Sequence, residues 1–95
     1  MVQVISFILL LNVMSEWARR AHHYLNITGR FRGFKNLREG QKYEVVKEGL
    51  LEFLEQNSLS REEAEEALEW FLRRRKIHEA RALAKIMKLK IRKRK

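Results

Sequence analysis

Apolar residues recur at the three- and four-residue spacing of an α-helix in four stretches of the chain. The first stretch follows Ser15, which is a good N-cap residue, and it stops before Gly29, which readily adopts the left-handed turn that ends helices. Its apolar residues share one face: Trp17, Ala21, Tyr24 and Leu25. The pattern predicts helix one at residues 16–27.

The second stretch predicts a longer amphipathic helix that ends near Gln56. Asn36 and Glu39 stand three residues apart, the spacing of a capping box, and this indicates where the helix begins. One face is apolar: Tyr43, Val46, Leu50, Phe53 and Leu54. The opposite side is acidic: Glu44, Glu48, Glu52 and Glu55. Helix two is therefore expected to be buried on one side and solvated on the other.

The third stretch begins at the clearest capping box of the chain, Ser60 with Glu63. Its inner face is apolar: Ala64, Ala67, Leu68, Phe71 and Leu72. Glutamates fill its first turns and cations its last, which matches the helix dipole at both ends. Only a short turn at residues 57–59 separates helices two and three, so we expect the two to form an antiparallel helical hairpin.

The fourth stretch predicts a basic helix over residues 77–92. Its inner arc is apolar: Ile77, Ala80, Leu83, Ala84, Met87 and Ile91. Cations recur at intervals of four, three and four residues, which gives a narrow stripe on one face: Arg81, Lys85, Lys88 and Arg92. The inner stripe breaks across residues 73–76, where we expect a bend. The predicted fold is all-α, with three to four helices: an antiparallel helical hairpin plus a basic C-terminal helix.

Composition narrows the chemistry that this single domain of 95 residues could perform. The absence of cysteine excludes disulfides, zinc fingers and thiol catalysis. There is no proline, and we expect the four glycines to mark the breaks between long helices. There is no aspartate, the serines lie at caps or turns, and no glycine-rich phosphate loop follows a strand. We therefore expect no enzymatic activity, no cofactor and no small-molecule substrate.

Residues 1–13 form an apolar N-terminal segment that contains no charged side chain. The segment is shorter than the roughly 20 residues needed to span a bilayer, and no Lys or Arg precedes it as in a signal peptide. We expect it to be buried in this protein or against a partner. Two alternatives stay open: translation that begins at Met14, and a membrane role. Residues 14–95 would form a single helical domain with a basic tail.

Positive charge is concentrated at the C-terminal end of the chain. Residues 70–95 contain twelve Lys or Arg and one acid, Glu79, which gives a local charge of +11 against +9 for the whole chain. Like charges in a row along a helix repel one another unless a polyanion binds them. This distribution is typical of a protein that binds the phosphates of nucleic acid. The high Lys, Arg and Glu content also resembles that of hyperthermophile proteins.

A second basic element is the loop Arg30-Phe31-Arg32-Gly33-Phe34-Lys35, which alternates cations with aromatic rings. Arginine binds phosphate in a bidentate manner, and phenylalanine stacks on unpaired bases. The alternative is that Phe31 and Phe34 fill the core beneath a surface loop. The sequence does not separate these two interpretations.

The three histidines do not form a metal-binding pattern. His22 and His23 are adjacent and therefore point about 100° apart on a helix, whereas ligands on one helix need to share a face. We expect no metal site. Near Arg19 and Arg20, a histidine could instead contact phosphate or a base, the alternative being an ordinary surface position. Trp17 and Trp70 are expected to pack in the core.

In composition the whole chain resembles the small, basic, Lys/Arg-rich proteins of archaeal ribosomes, although no specific motif carries the resemblance. It implies a cytoplasmic structural component that binds structured RNA, in particular rRNA, mostly through phosphate, beside neighbouring ribosomal proteins. The residues predicted to bind RNA are the clustered cations and the loop aromatics: Arg19, Arg20, Arg30, Phe31, Arg32, Phe34, Lys35, Arg73, Arg74, Arg75, Lys76, Arg81, Lys85, Lys88, Arg92, Lys93, Arg94 and Lys95.

Two other functions stay open at this point. Helices two and three could act as a helix-turn-helix that binds DNA, although helix three begins with glutamates where a recognition helix contacts bases. The chain could also be a protein-interaction module whose apolar N-terminus docks on a partner and whose basic tail is incidental.

Overall fold

A computed structural model of the protein describes residues 15–89, and these form four α-helices with a short 3₁₀ turn at Phe34–Asn36. The helices are α1 (Glu16–Ile27), α2 (Glu39–Gln56), α3 (Arg61–Arg73) and α4 (Ile77–Met87). The all-α class is confirmed. The expectations for residues 1–13 and for Arg92, Lys93, Arg94 and Lys95 lie outside the described residues.

α4 is the helix against which both α2 and α3 make their main contacts, while α1 packs on α2 and α3. α2 and α3 are joined by the expected short turn, but each packs mainly on α4 and not on the other. The two helices therefore do not form the expected hairpin, in which they would pack on each other. The reason lies in α4, where small and apolar side chains are buried on more than one side: Ala80, Ala82, Leu83 and Ala84. Burying both sides of α4 removes more apolar surface from water than a hairpin of α2 and α3 alone would.

The apolar faces predicted for the first three helices supply the core. α1 contributes Ala18, Ala21 and Leu25, α2 contributes Val46, Leu50 and Phe53, and α3 contributes Ala67, Leu68 and Phe71. Trp17 and Trp70 pack against this core and are partly buried, as expected. For α4 the prediction was wrong at its first residue, because Ile77 is 45% exposed.

Two helix starts follow the predicted capping. Ser15 Oγ accepts a hydrogen bond from the Ala18 N–H (3.3 Å), and Ser60 exchanges two such bonds with Glu63 (3.1 and 3.2 Å). The Ser60 N–H holds the pKa of the Glu63 carboxyl below its usual value, because it donates to the ionised form. The predicted start of α2 was wrong, because Asn36 lies in the 3₁₀ turn. Arg38 is the N-cap instead, and its N–H donates to Gln41 Oε1 (2.9 Å), three residues further along the chain.

α1, α3 and α4 end in the same hydrogen-bonded arrangement, in which a left-handed residue turns the chain back. That residue is Gly29 (φ 77°), Arg75 (φ 57°) or Lys88 (φ 55°). After α4, the Leu89 N–H donates to the Ala84 carbonyl (2.8 Å), the long bond of a Schellman motif. The prediction that helix four continues to residue 92 was therefore wrong. Of the predicted four-cation stripe, Arg81 and Lys85 lie within α4, Lys88 is its C-terminal cap, and Arg92 lies outside the described residues.

Replacing Arg75 or Lys88 with glycine is expected to raise the free energy of unfolding by about 0.5–1 kcal/mol each. A left-handed conformation costs a non-glycine residue roughly 1–2 kcal/mol, part of which glycine returns as unfolded-state entropy. Urea unfolding of the two glycine variants should be compared with Arg75→Ala and Lys88→Ala, which remove the charge but keep Cβ. Glycine variants no more stable than the alanine variants would contradict the expectation.

Candidate nucleic-acid interface

The connection between α3 and α4 and the outer side of α4 form an exposed group of cations. We call it the basic surface: Arg74, Arg75, Arg81, Lys85 and Lys88. Within residues 15–89, no ion pair shorter than 4.0 Å involves any of these five side chains. Arg81 and Lys85 are one helical turn apart and share a face. Arg74 lies over the Trp70 ring at 4.6 Å, which fixes its guanidinium at the surface.

Glu79, the only acid of α4, is turned away from this surface. It is 5% exposed and pairs with His22 Nδ1 on α1. Its charge therefore faces α1 across the helix packing instead of the cations outside. The sequence contained a signal for this position, since Glu79 is four residues before the core residue Leu83 and so shares its face. From the sequence, Glu79 was counted only toward the charge of residues 70–95 and was given no partner, so the buried pair was missed.

Elsewhere, several of the predicted RNA-binding cations have glutamate partners. Arg19 pairs with Glu16 (3.0 Å) and Arg73 with Glu69 (2.8 Å), and all four side chains are more than half exposed. Exposed pairs of this kind contribute little to stability, so phosphate could replace the glutamate at small cost.

Arg30 differs from those exposed arginines. Its side chain is 16% exposed, bonds Glu52 at 2.6 Å, and approaches Glu48 at 4.0 Å. It also lies 5.8 Å from the centre of the Tyr24 ring, whose hydroxyl donates to Glu52 and whose pKa that hydrogen bond raises. Arg30 thus fixes the loop to α2, and its guanidinium is engaged inside the protein.

The aromatic rings of the loop take part in a row of four rings. Phe31 lies 5.1 Å from His22, Phe34 lies 5.3 Å from Phe31, and His78 lies 5.5 Å from Phe34. Both phenylalanines are half-buried and pack against the core. Of the two interpretations of this loop, the geometry favours packing over stacking on bases. Arg32 and Lys35 are exposed on its outer side.

Truncating Phe31 or Phe34 to alanine is expected to lower the free energy of unfolding by about 3 kcal/mol, as for other large-to-small changes in a packed cluster. Phe31→Leu and Phe34→Leu keep most of the volume and should cost less than about 1.5 kcal/mol. RNA affinity, measured on the folded fraction, should stay within twofold of the unchanged protein. A loss of affinity without loss of stability would instead assign the rings to base stacking.

Two of the three histidines, His22 and His78, are held by carboxylates. Besides the buried pair of His22, His78 Nε2 lies 2.7 Å from Glu39 Oε2, and this bond holds the pKa of Glu39 below its usual value. His23 is exposed on α1. In the part of the chain that the structure describes, no group of three or more His or Glu side chains could hold a metal ion.

The remaining predicted residues within the described part of the chain are Lys76 and Arg20. Lys76 is half-buried at the start of α4. Arg20 lies on α1 at the edge of a shallow groove of about 410 Å³. No helix within residues 15–89 combines the length and the apolar character needed to cross a membrane. The exposed cations of the basic surface thus come from one stretch of chain, Arg74 to Lys88, whereas Arg19 and Arg20 belong to α1 and Arg32 and Lys35 to the loop.

Comparison with family models, with curated proteins and with solved structures found no significant match to this chain.

Proposed function

We propose that this protein is a non-enzymatic RNA-binding protein that holds the phosphate backbone of structured RNA with the basic surface. The observation that carries the proposal is the inward position of Glu79. The only acid of α4 pairs with His22, and among residues 15–89 no carboxylate lies within 4.0 Å of Arg81 or Lys85 on the outer side of the helix. Such an arrangement costs repulsion energy in the free protein, and binding a polyanion relieves it.

Contacts of this type position a protein without reading sequence. Arginine provides a planar group with several donors for phosphate oxygens, and lysine provides a point charge. Arg74 and Arg75 at the connection extend the contact beyond the end of α4, and Arg32 and Lys35 of the loop offer a second patch. We therefore expect affinity for the shape and charge of folded RNA and weak discrimination between sequences.

RNA is favoured over duplex DNA because the helix that would enter the major groove has the wrong charge. α3 begins with Glu62 and Glu63, and the second is fixed in the capping box with Ser60. A recognition helix normally points its N-terminal residues at bases between two rows of phosphates, where these carboxylates would be repelled. Charge and composition together support a cytoplasmic structural component of a ribonucleoprotein, with rRNA as the first candidate ligand.

Binding to structured RNA should depend steeply on salt. If the protein neutralises about 6–10 phosphates, its affinity should fall by roughly 10³–10⁵ between 50 and 200 mM salt, because bound cations are released from the RNA. A filter-binding titration with a folded rRNA fragment measures the slope directly. An affinity that is flat across this range would reject the electrostatic mechanism.

The identity of the ligand is tested by purification from native lysate at moderate salt, with and without RNase. The proposal expects the protein to sediment with large RNA-containing particles and to leave them after RNase treatment. Retention in the particles that resists RNase but is abolished by DNase would show that the ligand is DNA and not RNA. Retention on protein after both treatments would identify a protein-interaction module.

A further inference from the structure

The groove beside α1 has an apolar floor and a cationic edge. Its volume is about 410 Å³, and it is lined by Arg19, Arg20, His23, Tyr24, Ile27 and Phe53. Five of these residues come from α1, so the groove follows the axis of that helix, and Phe53 of α2 closes it on one side. From Arg19 to Ile27 the helix rises about 12 Å, enough for two turns of a second helix beside it.

The floor of the groove is held in place. The Tyr24 and Phe53 ring centres lie 5.4 Å apart, and Trp17 meets Phe53 edge-on at 5.3 Å. The Tyr24 hydroxyl donates to Glu52 (2.9 Å), and the Trp17 Nε1–H donates to the Asn57 carbonyl (2.8 Å). A floor fixed from several sides presents a formed surface, so a ligand need not reorganise it.

Ile27 leaves the end of the groove open to solvent. It is 67% exposed, against 45% for Ile77 and 43% for Leu51, the other exposed large apolar side chains within residues 15–89. An apolar floor that continues into an exposed isoleucine is the kind of surface that proteins cover with another apolar element.

We propose that residues 1–13 of the same chain dock into this groove. The segment contains nine apolar side chains of Val, Ile, Leu and Phe and no charge, so it offers an apolar surface that matches the floor of the groove. It joins the described part of the chain at Ser15, the N-cap of α1, directly beside one end of the groove.

The segment is long enough for this position. Thirteen residues reach at most about 45 Å when extended, and the nine residues from Ile5 to Val13 would measure about 13 Å as a helix, close to the length of the groove. The chain would reverse near Ser15 and run back along α1. A short tether also gives the segment an effective concentration in the millimolar range, which an external apolar peptide seldom reaches.

The cationic edge is compatible with an uncharged occupant. Arg19 and Arg20 are exposed, and long side chains of this kind lay their methylene groups on apolar neighbours while the guanidinium stays in water. The segment would then complete the floor and leave both charges at the surface. An unpaired RNA base is a different occupant, which the experiment below separates from the segment.

The test uses the full-length chain, which contains no cysteine and therefore accepts defined pairs. One cysteine replaces Ile27, and the second replaces Phe7, Leu10 or Val13 in separate proteins. A disulfide forms when the two Cα atoms come within about 4.4–6.8 Å. Leu51→Cys and Ile77→Cys, each paired with the same three positions, are matched controls at exposed apolar residues of other helices. Intact mass is measured first on the protein from its native source.

We expect at least one segment position to form an intramolecular disulfide with Ile27→Cys ten times faster than with either control. Saturating structured RNA should leave that rate unchanged. Equal rates for all three partners, covalent dimers instead of intramolecular bonds, or protection of Ile27→Cys by RNA would each overturn the proposal. So would a native mass that begins at Met14 or Ser15.

A second measurement tests the proposal even if a protein with two introduced cysteines fails to fold. In the single variant Leu10→Cys, the rate of thiol labelling should rise about tenfold when Ile27→Glu is added, because a buried carboxylate would expel the segment. Adding Leu51→Glu should leave the rate unchanged. Helix content measured by circular dichroism confirms that each variant is folded. Labelling that responds equally to both glutamates, or to neither, would reject docking at this groove.

Discussion

Neutralising four cations of the basic surface is expected to weaken binding to structured RNA by about 10³-fold at 100 mM salt. The variant replaces Arg74, Arg75, Arg81 and Lys85 with glutamine. Each lost phosphate contact removes close to one unit from the slope of log affinity against log salt, which corresponds to roughly tenfold at this concentration. We therefore expect the slope itself to fall by about 3–4.

The matched control removes the same number of charges from other parts of the surface. It replaces Arg38, Lys42, Lys47 and Arg61 with glutamine, and its net charge equals that of the first variant. Lys42 is paired with Glu39 (3.5 Å) in the free protein, and Lys47 lies over the Tyr43 ring, so these positions offer less to RNA. We expect the control to lose less than tenfold. Equal losses from both variants would mean that net charge matters and its placement does not.

Replacing Gly49 with alanine is expected to lower the free energy of unfolding by about 2 kcal/mol, a cost typical of overpacking. Gly49 is buried in the middle of α2, where a Cβ would overlap Leu25 Cδ2 and lie 2.6 Å from Arg30 Cδ. Neither side chain can move away easily. Leu25 is fully buried, and the ion pair with Glu52 holds Arg30.

Gly40→Ala in the first turn of the same helix is the control. Nothing lies within 4 Å of a Cβ at that position, so alanine should add about 0.5–1 kcal/mol through its higher helix propensity. The two identical substitutions should thus differ by about 3 kcal/mol in urea unfolding. If Gly49→Ala were as stable as Gly40→Ala, α1 would not lie against the backbone of α2 as the structure has it.

The glycines show where inference from sequence succeeded and where it failed. We expected all four glycines at breaks. Gly29 and Gly33 do adopt left-handed turns. Gly49 instead permits the close approach of two helices. A glycine in a turn and a glycine under a neighbouring side chain look alike in sequence, because the neighbour is distant along the chain.

Local interactions explain what the sequence determined by itself. The bounds of α1, the capping of α3 by Ser60 and Glu63, and the apolar faces of the first three helices depend on residues within one or two turns of each other. The concentration of positive charge at one end was equally visible, since it depends only on the order of residues along the chain. These features supported the all-α class and directed attention to the C-terminal cations.

Tertiary packing decided the rest. α4 ends at Met87 because Leu89 turns back against the core, and Phe31 and Phe34 are half-buried because His22 and His78 flank them. Glu79 faces inward because it pairs with His22, and this partner lies 57 residues away along the chain. The energy of such contacts depends on which helices become neighbours, and no local pattern encodes that. For the same reason, the five cations of the basic surface have no ion pair within residues 15–89, because the acid that α4 itself carries is paired with α1.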